Sequence, residues 1–304
     1  MKEKRYCLVD MSMETCIPDY VVNIKTHRSM SCIQRVARVL GLLSSNNHNE
    51  RENWEKECTA FDVIILFDTR PNYAYYAEKI EKACKNTTRL VLYFWNPISY
   101  SSDFKKLSPR WELCTFSRDD AFAYKMRYVE TFYNPQWPEY QSKEITNDVF
   151  FIGTEKGRGE ILSKVKSELQ SRDLRPDFRI ADNRKALYSK KYSRYLPYQE
   201  VIKLIHKSRA ILEILQTGQT GLSLRCMESL YFNKKLITNN VSIRQSVLYS
   251  PDRVFIIGID TWDNIEEFLF RPIAPISQKL KDSFSFDALI TRIVNKQEFN
   301  YSHE

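Results

Sequence analysis

The chain has 304 residues, a net charge of +8, 43% hydrophobic and 13% aromatic residues, enough material for one large domain or two of ordinary size. No run approaches the roughly 20 apolar residues needed to span a bilayer, and the start MKEKRYCLVD lacks the apolar core and cleavage site of a signal peptide. Residues 150–304 carry 25 Lys+Arg against 18 Asp+Glu, whereas residues 1–149 nearly balance at 21 and 20, so the basic excess belongs to the second half.

In chain order, RYCLVDM (5–11) predicts a strand and SCIQRVARVLGLL (31–43) a helix, with Ile33, Val36, Ala37 and Leu40 at helical spacing. FDVIILFDT (61–69) and RLVLYFWNP (89–97) are almost unbroken apolar runs, as buried parallel strands require. YYAEKIEKACK (75–85) between them predicts a helix, and WELCTFS (111–117) a shorter strand before RDDAFAYKM. The segment YNPQWPEYQSKEITN (133–147) has two prolines and no periodicity, which reads as a linker.

The pattern restarts with strand DVFFIGT (148–154), helix GEILSKVKSELQSRD (159–173) and strand DFRIAD (177–182). A basic stretch, RKALYSKKYSR (184–194), follows. Helix YQEVIKLIHKS (198–208), strand RAILEIL (209–215) and a helix over 221–232 come next. Strands KKLITNN (234–240) and RVFIIGI (253–259) and helix WDNIEEFLF (262–270) complete the pattern. Alternating strands and helices predict a parallel sheet with helices on both faces in each half.

Only 7 glycines occur in the chain, yet five of them fall in two short segments, each directly after an apolar strand. The first, FFIGTEKGRGE (150–160), is neither a P-loop nor a dinucleotide fingerprint. It presents Thr154, Lys156 and Arg158 at the strand end, where open α/β sheets bind ligands. The alternative for it is a solvated loop. The second segment is QTGQTGLSLRCMESLYF (216–232). On a helix over 221–232, Leu224, Met227, Leu230 and Tyr231 share a core face, and Gly221, Arg225 and Glu228 share the opposite one. Free N–H groups, the helix dipole and a cation one turn in would suit a phosphate there. The alternative is a capped helix with an Arg–Glu surface pair.

Other chemistry is thin. The four histidines (27, 48, 206 and 303) lack metal-ligand spacing, and no GxSxG, HExxH or DxD is present. The seven cysteines match no zinc spacing and read as buried, reduced thiols of a cytosolic protein. Tyr and Phe do not alternate with basic residues along a strand, so a nucleic-acid stacking platform is not supported. Asp10 and Asp68, at the ends of two predicted parallel strands, are candidate general bases. The alternative role for each is a strand-end cap of the next turn.

DVFFIGTEKGRGEIL, YLPYQEVIKLIHKSRAILEI and QTGLSLRCMESLYFNKKLITNN resemble, in order and spacing, bacterial glycosyltransferases of capsular polysaccharide and lipopolysaccharide (O-antigen) biosynthesis. FDVIILFDT, LVLYFWNP and TFSRDDAFAYKM are similar to the N-terminal half of the same group. The resemblance runs over about residues 60–300 and is strongest over 148–240. It implies a GT-B-like α/β fold, two Rossmann-like domains facing across a cleft, with an acceptor domain over 1–140 and a nucleotide-sugar donor domain over 141–304. It further implies that Gln219, Thr220, Gly221 and Leu222 face the diphosphate, that Arg225 pairs with it and that Glu228 binds the ribose. Gly153, Thr154, Lys156 and Arg158 would face the diphosphate and donor sugar, and Tyr195 to Tyr198 the base.

Many retaining members carry two glutamates eight apart across this helix. Thr220 stands eight before Glu228, so the stereochemistry stays open. The implied enzyme needs no metal and no cofactor. Its partners would be a nucleotide-sugar donor and a glycan or lipid-linked glycan acceptor, with no nucleic acid, and its place the cytoplasm or the inner face of the cytoplasmic membrane. Two rival readings remain: a non-catalytic basic module for RNA or anionic lipid, and the same fold performing epimerase or hydrolase chemistry.

Overall fold

The computed structural model describes residues 6–9, 21–25, 51–69, 72–98, 103–133, 144–216 and 218–297. The helix predicted over 31–43, the candidate base Asp10 and most of the predicted linker (134–143) lie outside them. The chain forms two compact units, Met1–Thr115 with Asp120–Arg127, and Phe116–Asp119 with Tyr128–Glu304.

The first unit is built on strands β1 (Tyr6–Val9), β2 (Val21–Ile24), β3 (Val63–Phe67), β4 (Arg89–Phe94), β5 (Trp111–Thr115) and β6 (Arg127–Tyr128). They lie in the order β2-β1-β3-β4-β5-β6, and β1 pairs with β2 and β3, β3 with β4, and β4 with β5, all in parallel. Every residue of β3 is buried, which is why its sequence shows no polar alternation. Helix α1 (Trp54–Glu57) opens on a fully buried Trp54 whose ring lies 5.7 Å from that of Tyr76. Tyr76 belongs to α2 (Tyr73–Ala83), which buries Tyr73, Tyr76, Ala77 and Ile80, the 3-4-7 spacing of an amphipathic helix. Helix α3 (Arg118–Tyr124) follows β5.

The second unit contains strands β7 (Asn147–Gly153), β8 (Pro176–Ala181), β9 (Tyr192–Ser193), β10 (Ser208–Glu213), β11 (Lys235–Thr238) and β12 (Val254–Ile256). Its sheet runs β12-β11-β10-β7-β8-β9 and is parallel throughout. Helices α4 (Gly159–Gln170), α5 (Tyr198–His206), α6 (Leu224–Tyr231), α7 (Ile265–Phe270), α8 (Gln278–Ser283) and α9 (Phe286–Asn295) complete it. Leu162, Val165 and Leu169 of α4 share one core with Leu212, Ile237, Phe255, Ile265 and Phe268. Phe286, Leu289, Ile290 and Ile293 of α9 are buried. The ring of Phe286 meets that of Phe132 at 5.0 Å, and Tyr133 N–H donates to the Phe284 carbonyl at 2.8 Å.

Both units carry the parallel sheet that the alternating pattern predicted and are Rossmann-like, as the resemblance implied. In the second, β7, β8 and β9 are laid down to one side and β10, β11 and β12 to the other, the doubly wound order of dinucleotide-binding sheets. The order reverses between β7 and β10, and in the first unit between β1 and β3. A sheet of this kind opens a crevice at the carboxyl ends of the strands where its order reverses.

Candidate functional site

Both glycine-bearing segments flank the reversal in the second unit. β7 ends at Gly153 and runs into loop 154–158, and β10 ends at Glu213 and runs through 214–223 into α6. Arg158 ties the two together: its guanidinium donates to the carbonyls of Ile214 (2.6 Å), Thr154 (2.5 Å) and Glu155 (3.3 Å). It also lies over the Phe151 ring, 5.4 Å from the centroid. The sequence expects Arg158 to face a donor phosphate, but in the structure it braces the loops through carbonyls. The exposed cation of this loop is Lys156. Gly153 lies in a tight space: a Cβ there would stand 3.1 Å from Arg158 Nη2 and 3.3 Å from the Phe151 ring, so both side chains would have to shift slightly.

Helix α6 begins at Leu224, three residues later than its periodicity predicts. Ser223 is the reason: its hydroxyl accepts the Arg225 N–H at 3.0 Å and caps the helix. Gly221 consequently sits in the turn, not on the helix, with φ at +97°. A Cβ there would stand 2.9 Å from the Phe116 carbonyl, so the glycine answers a backbone demand. Asn240 Nδ2 donates to the Gly221 carbonyl at 3.0 Å, and the Thr220 and Ser117 hydroxyls lie 3.1 Å apart. Gln219 N–H donates to the Gln216 carbonyl at 3.0 Å, and Leu222 is buried.

Glu228 differs most from its sequence reading. Its helical spacing sets it opposite the core face, yet its side chain is fully buried. Oε1 accepts from the Tyr198 hydroxyl at 2.7 Å and Oε2 from Arg225 Nη1. The late start of α6 and the neighbouring α5 explain this, since Tyr198 is the first residue of α5 and covers the carboxylate. Burial pushes the Glu228 carboxyl above its ordinary range, against the opposing pull of Arg225 and Tyr198. The Arg225 side chain keeps 19% of its surface exposed, so the pair presents a held guanidinium in the first turn of the helix. Tyr195 is more than half exposed and donates its N–H to Asn183 Oδ1 at 2.9 Å.

Behind this pair lies a polar cluster that the sequence reading missed. Glu213, buried at the end of β10, accepts from the Ser223 hydroxyl, from Cys226 Sγ at 3.2 Å and from Thr238 Oγ1 at 2.6 Å. Asn239 Oδ1 accepts the Leu215 N–H at 2.8 Å. Burying a carboxylate without partners is costly, so a glutamate inside the apolar run RAILEIL was itself the signal. Together Glu213 and Asn239 fix the turn from β10 to the N-terminus of α6.

In the first unit Asp68 follows β3 at the strand reversal and is buried. Its Oδ1 accepts from Trp95 N–H at 2.6 Å and its Oδ2 from Asn96 N–H at 3.2 Å, which pins the end of β4. Burial raises its carboxyl from 3.8 to about 6, although those hydrogen bonds pull the other way. The structure thus gives Asp68 a capping role and leaves its proton affinity near that of a useful base. Among the described residues, no group of three or more His, Cys, Asp or Glu could hold a metal ion, and no helix is long and apolar enough to cross a membrane. Cys7, Cys58, Cys84, Cys114 and Cys226 are buried free thiols.

No family model matches the chain, and no curated protein matches it. Among solved structures it is similar to the DNA-modifying enzyme beta-glucosyltransferase, solved with and without the substrate uridine diphosphoglucose. That likeness has 13% identity and a TM-score of 0.49 over 97% of this chain and 96% of the other. A second likeness is to the spinosyn forosaminyltransferase SpnP, with 10% identity and a TM-score of 0.35 over 95% of this chain and 85% of the other. Likenesses this distant decide nothing about chemistry, which rests on the chain's own strand order and side chains.

Proposed function

We propose that the chain is a metal-independent GT-B glycosyltransferase that moves a sugar from a nucleotide-sugar donor to a growing surface glycan of the capsule or lipopolysaccharide kind. The observation that carries this reading is the strand order of the second unit. It puts both glycine-bearing loops, the capped start of α6 and the Arg225–Glu228–Tyr198 group at one reversal point. The diphosphate of the donor lies against the first turn of α6, where the helix dipole and the N–H groups beside the capped Arg225 N–H favour an anion. Arg225 adds a forked cation as charge develops on the leaving diphosphate. Glu228, itself bonded to the Tyr198 hydroxyl, holds that guanidinium in place, and its buried carboxylate would meet a ribose hydroxyl only where the Tyr198 cover opens. Lys156 and Thr154 border the same space from the β7 loop, and Tyr195 offers an exposed ring to the base.

The first unit takes the acceptor in this reading, and Asp68 is the candidate for the group that removes its proton. Asp10, which follows Val9 in the sequence, is the second candidate. The acceptor class comes from the resemblance of QTGLSLRCMESLYFNKKLITNN and its companion segments to capsule and lipopolysaccharide transferases.

A thermal-shift screen of nucleoside diphosphates tests the proposal. One base should stabilise the protein saturably and above the others, by mass action on a specific site, and Arg225→Ala, which removes the diphosphate's cation, should greatly reduce that stabilisation. Equal, salt-sensitive shifts with every nucleotide would instead support the basic binding module.

A further inference from the structure

The largest part of the second unit's basic excess that the donor site does not use lies in the connection from β8 to β9. Segment 184–195 holds Arg184, Lys185, Lys190, Lys191 and Arg194 and no acidic residue. Its ends are drawn together, with Asp182 N–H donating to the Ser193 carbonyl at 2.9 Å. Inside it, the N–H groups of Tyr188 and Ser189 both return to the Lys185 carbonyl, at 3.2 and 2.9 Å. The result is a compact, pre-ordered knuckle.

Its cations divide into two sets. Lys185 and the exposed Lys191 are engaged within the protein, with ammonium groups 4.7 and 5.5 Å from the centre of the Tyr192 ring and ion pairs to Glu155. Arg184, Lys190 and Arg194 are exposed. Between them Leu187 and Tyr188 stand 70% and 73% exposed, among the most exposed large hydrophobic side chains described. An adjacent leucine and tyrosine held out to solvent beside three outward cations is an unusual surface for a chain whose other apolar side chains are mostly packed.

We propose that this knuckle docks the protein on an anionic lipid surface, with Leu187 and Tyr188 entering the headgroup region and Arg184, Lys190 and Arg194 meeting the lipid phosphates. Apolar tips flanked by Lys and Arg match the interface between headgroups and acyl chains, and a tyrosine ring is suited to it at both ends. Charge complementarity supplies the rest of the attraction and concentrates near the membrane surface. The leucine separates this partner from a nucleic acid: an aliphatic side chain gains nothing against a phosphate backbone and stacks on no base. The pre-ordered backbone means that little conformational freedom is lost on docking.

The inference is independent of glycosyl transfer, and its test needs no sugar. The full chain is sedimented with vesicles of phosphatidylcholine alone and of phosphatidylcholine mixed with phosphatidylglycerol, with a single-stranded oligonucleotide as a separate arm. The protein should bind the mixed vesicles, leave the neutral ones and dissociate as salt is raised. Replacing the three exposed cations together (Arg184→Glu, Lys190→Glu, Arg194→Glu) should weaken partition by roughly a hundredfold or more. Leu187→Ser with Tyr188→Ser should weaken it by about tenfold or more at unchanged charge, with both variants keeping wild-type melting temperatures because neither replaces a buried residue. Failure to bind mixed vesicles, or equal binding by the serine variant, overturns the proposal. So does oligonucleotide binding tighter than vesicle binding, if only the charge variant weakens it.

Discussion

At the scale of single residues, the burial of Glu228 changes what its removal should do. As a surface group, its truncation would cost only nucleotide affinity. As a buried acceptor of two donors, its loss strands the Tyr198 hydroxyl and releases Arg225. Glu228→Ala should therefore lower unfolding free energy by about 1–3 kcal/mol without ligand, read by denaturant titration, as well as weaken donor binding. An unchanged midpoint would mean that the buried pair is not formed. Arg225→Ala leaves a buried carboxylate with one neutral partner, so its proton affinity rises further. A carboxyl raised in the folded state makes that state bind more protons than the unfolded chain, and stability then falls as pH rises through the window. The stability lost in Arg225→Ala should accordingly be greater above neutrality than in mild acid, while turnover drops by ~10²-fold or more. Asp68 follows the same sign. Its carboxyl rises from 3.8 to about 6, so its ionisation costs stability as pH climbs across that interval, by about 3 kcal/mol. The stability difference between wild type and Asp68→Asn should shrink over the same interval. If Asp68 is also the base, kcat/KM should fall on the acid side of about pH 6, and a profile flat through that region would remove it from the mechanism.

At the scale of elements, the turn into α6 shows what a sequence displays and what it hides. The helix itself was legible, because Met227 and Leu230 sit at helical spacing and are buried. Its first residue was not. Capping by Ser223 depends on a hydroxyl held by Glu213, a residue on another strand, and periodicity carries no trace of that bond. The same limit hid the role of Arg158, whose carbonyl partner at Ile214 is 56 positions away. Long buried strands such as β3, β4, β7 and β10 were read from their apolar runs, whereas β2 and α1 are four residues each, too short to show a period. Helix α9 has a clear apolar face and went unread although its spacing was present. Gly221 yields the prediction that belongs here. With φ at +97° and a Cβ that would crowd the Phe116 carbonyl, Gly221→Ala should destabilise by about 1–3 kcal/mol. Ser223→Ala should cost about 1 kcal/mol as a lost cap, and more if Glu213 is left short of a donor. Chemical denaturation of both variants checks the order: a Gly221→Ala protein as stable as wild type would show that the turn has another conformation available.

At the scale of the whole molecule, the positive charge that the proposed diphosphate would need is distributed through the second unit. Residues 150–304 carry seven more basic than acidic groups, and the strand order directs the N-terminus of α6 and the held Arg225 to one point. Transferases that grip the diphosphate through a divalent ion need carboxylates to hold that ion, and the sequence has no DxD. In this chain the carboxylates nearest the turn, Glu213 and Glu228, already accept five side-chain hydrogen bonds between them and are buried. Recruiting either to a metal would break the cap of α6 or the hold on Arg225. If the proposed donor site is right, transfer should persist in excess EDTA with little change in kcat/KM, because the leaving charge would be met by fixed N–H groups and a guanidinium. The measurement is initial transfer rate with and without chelator, using the nucleotide chosen by the thermal-shift screen. Loss of transfer in EDTA that manganese or magnesium restores would require a metal bridge to the diphosphate, and would move the burden of catalysis away from Arg225.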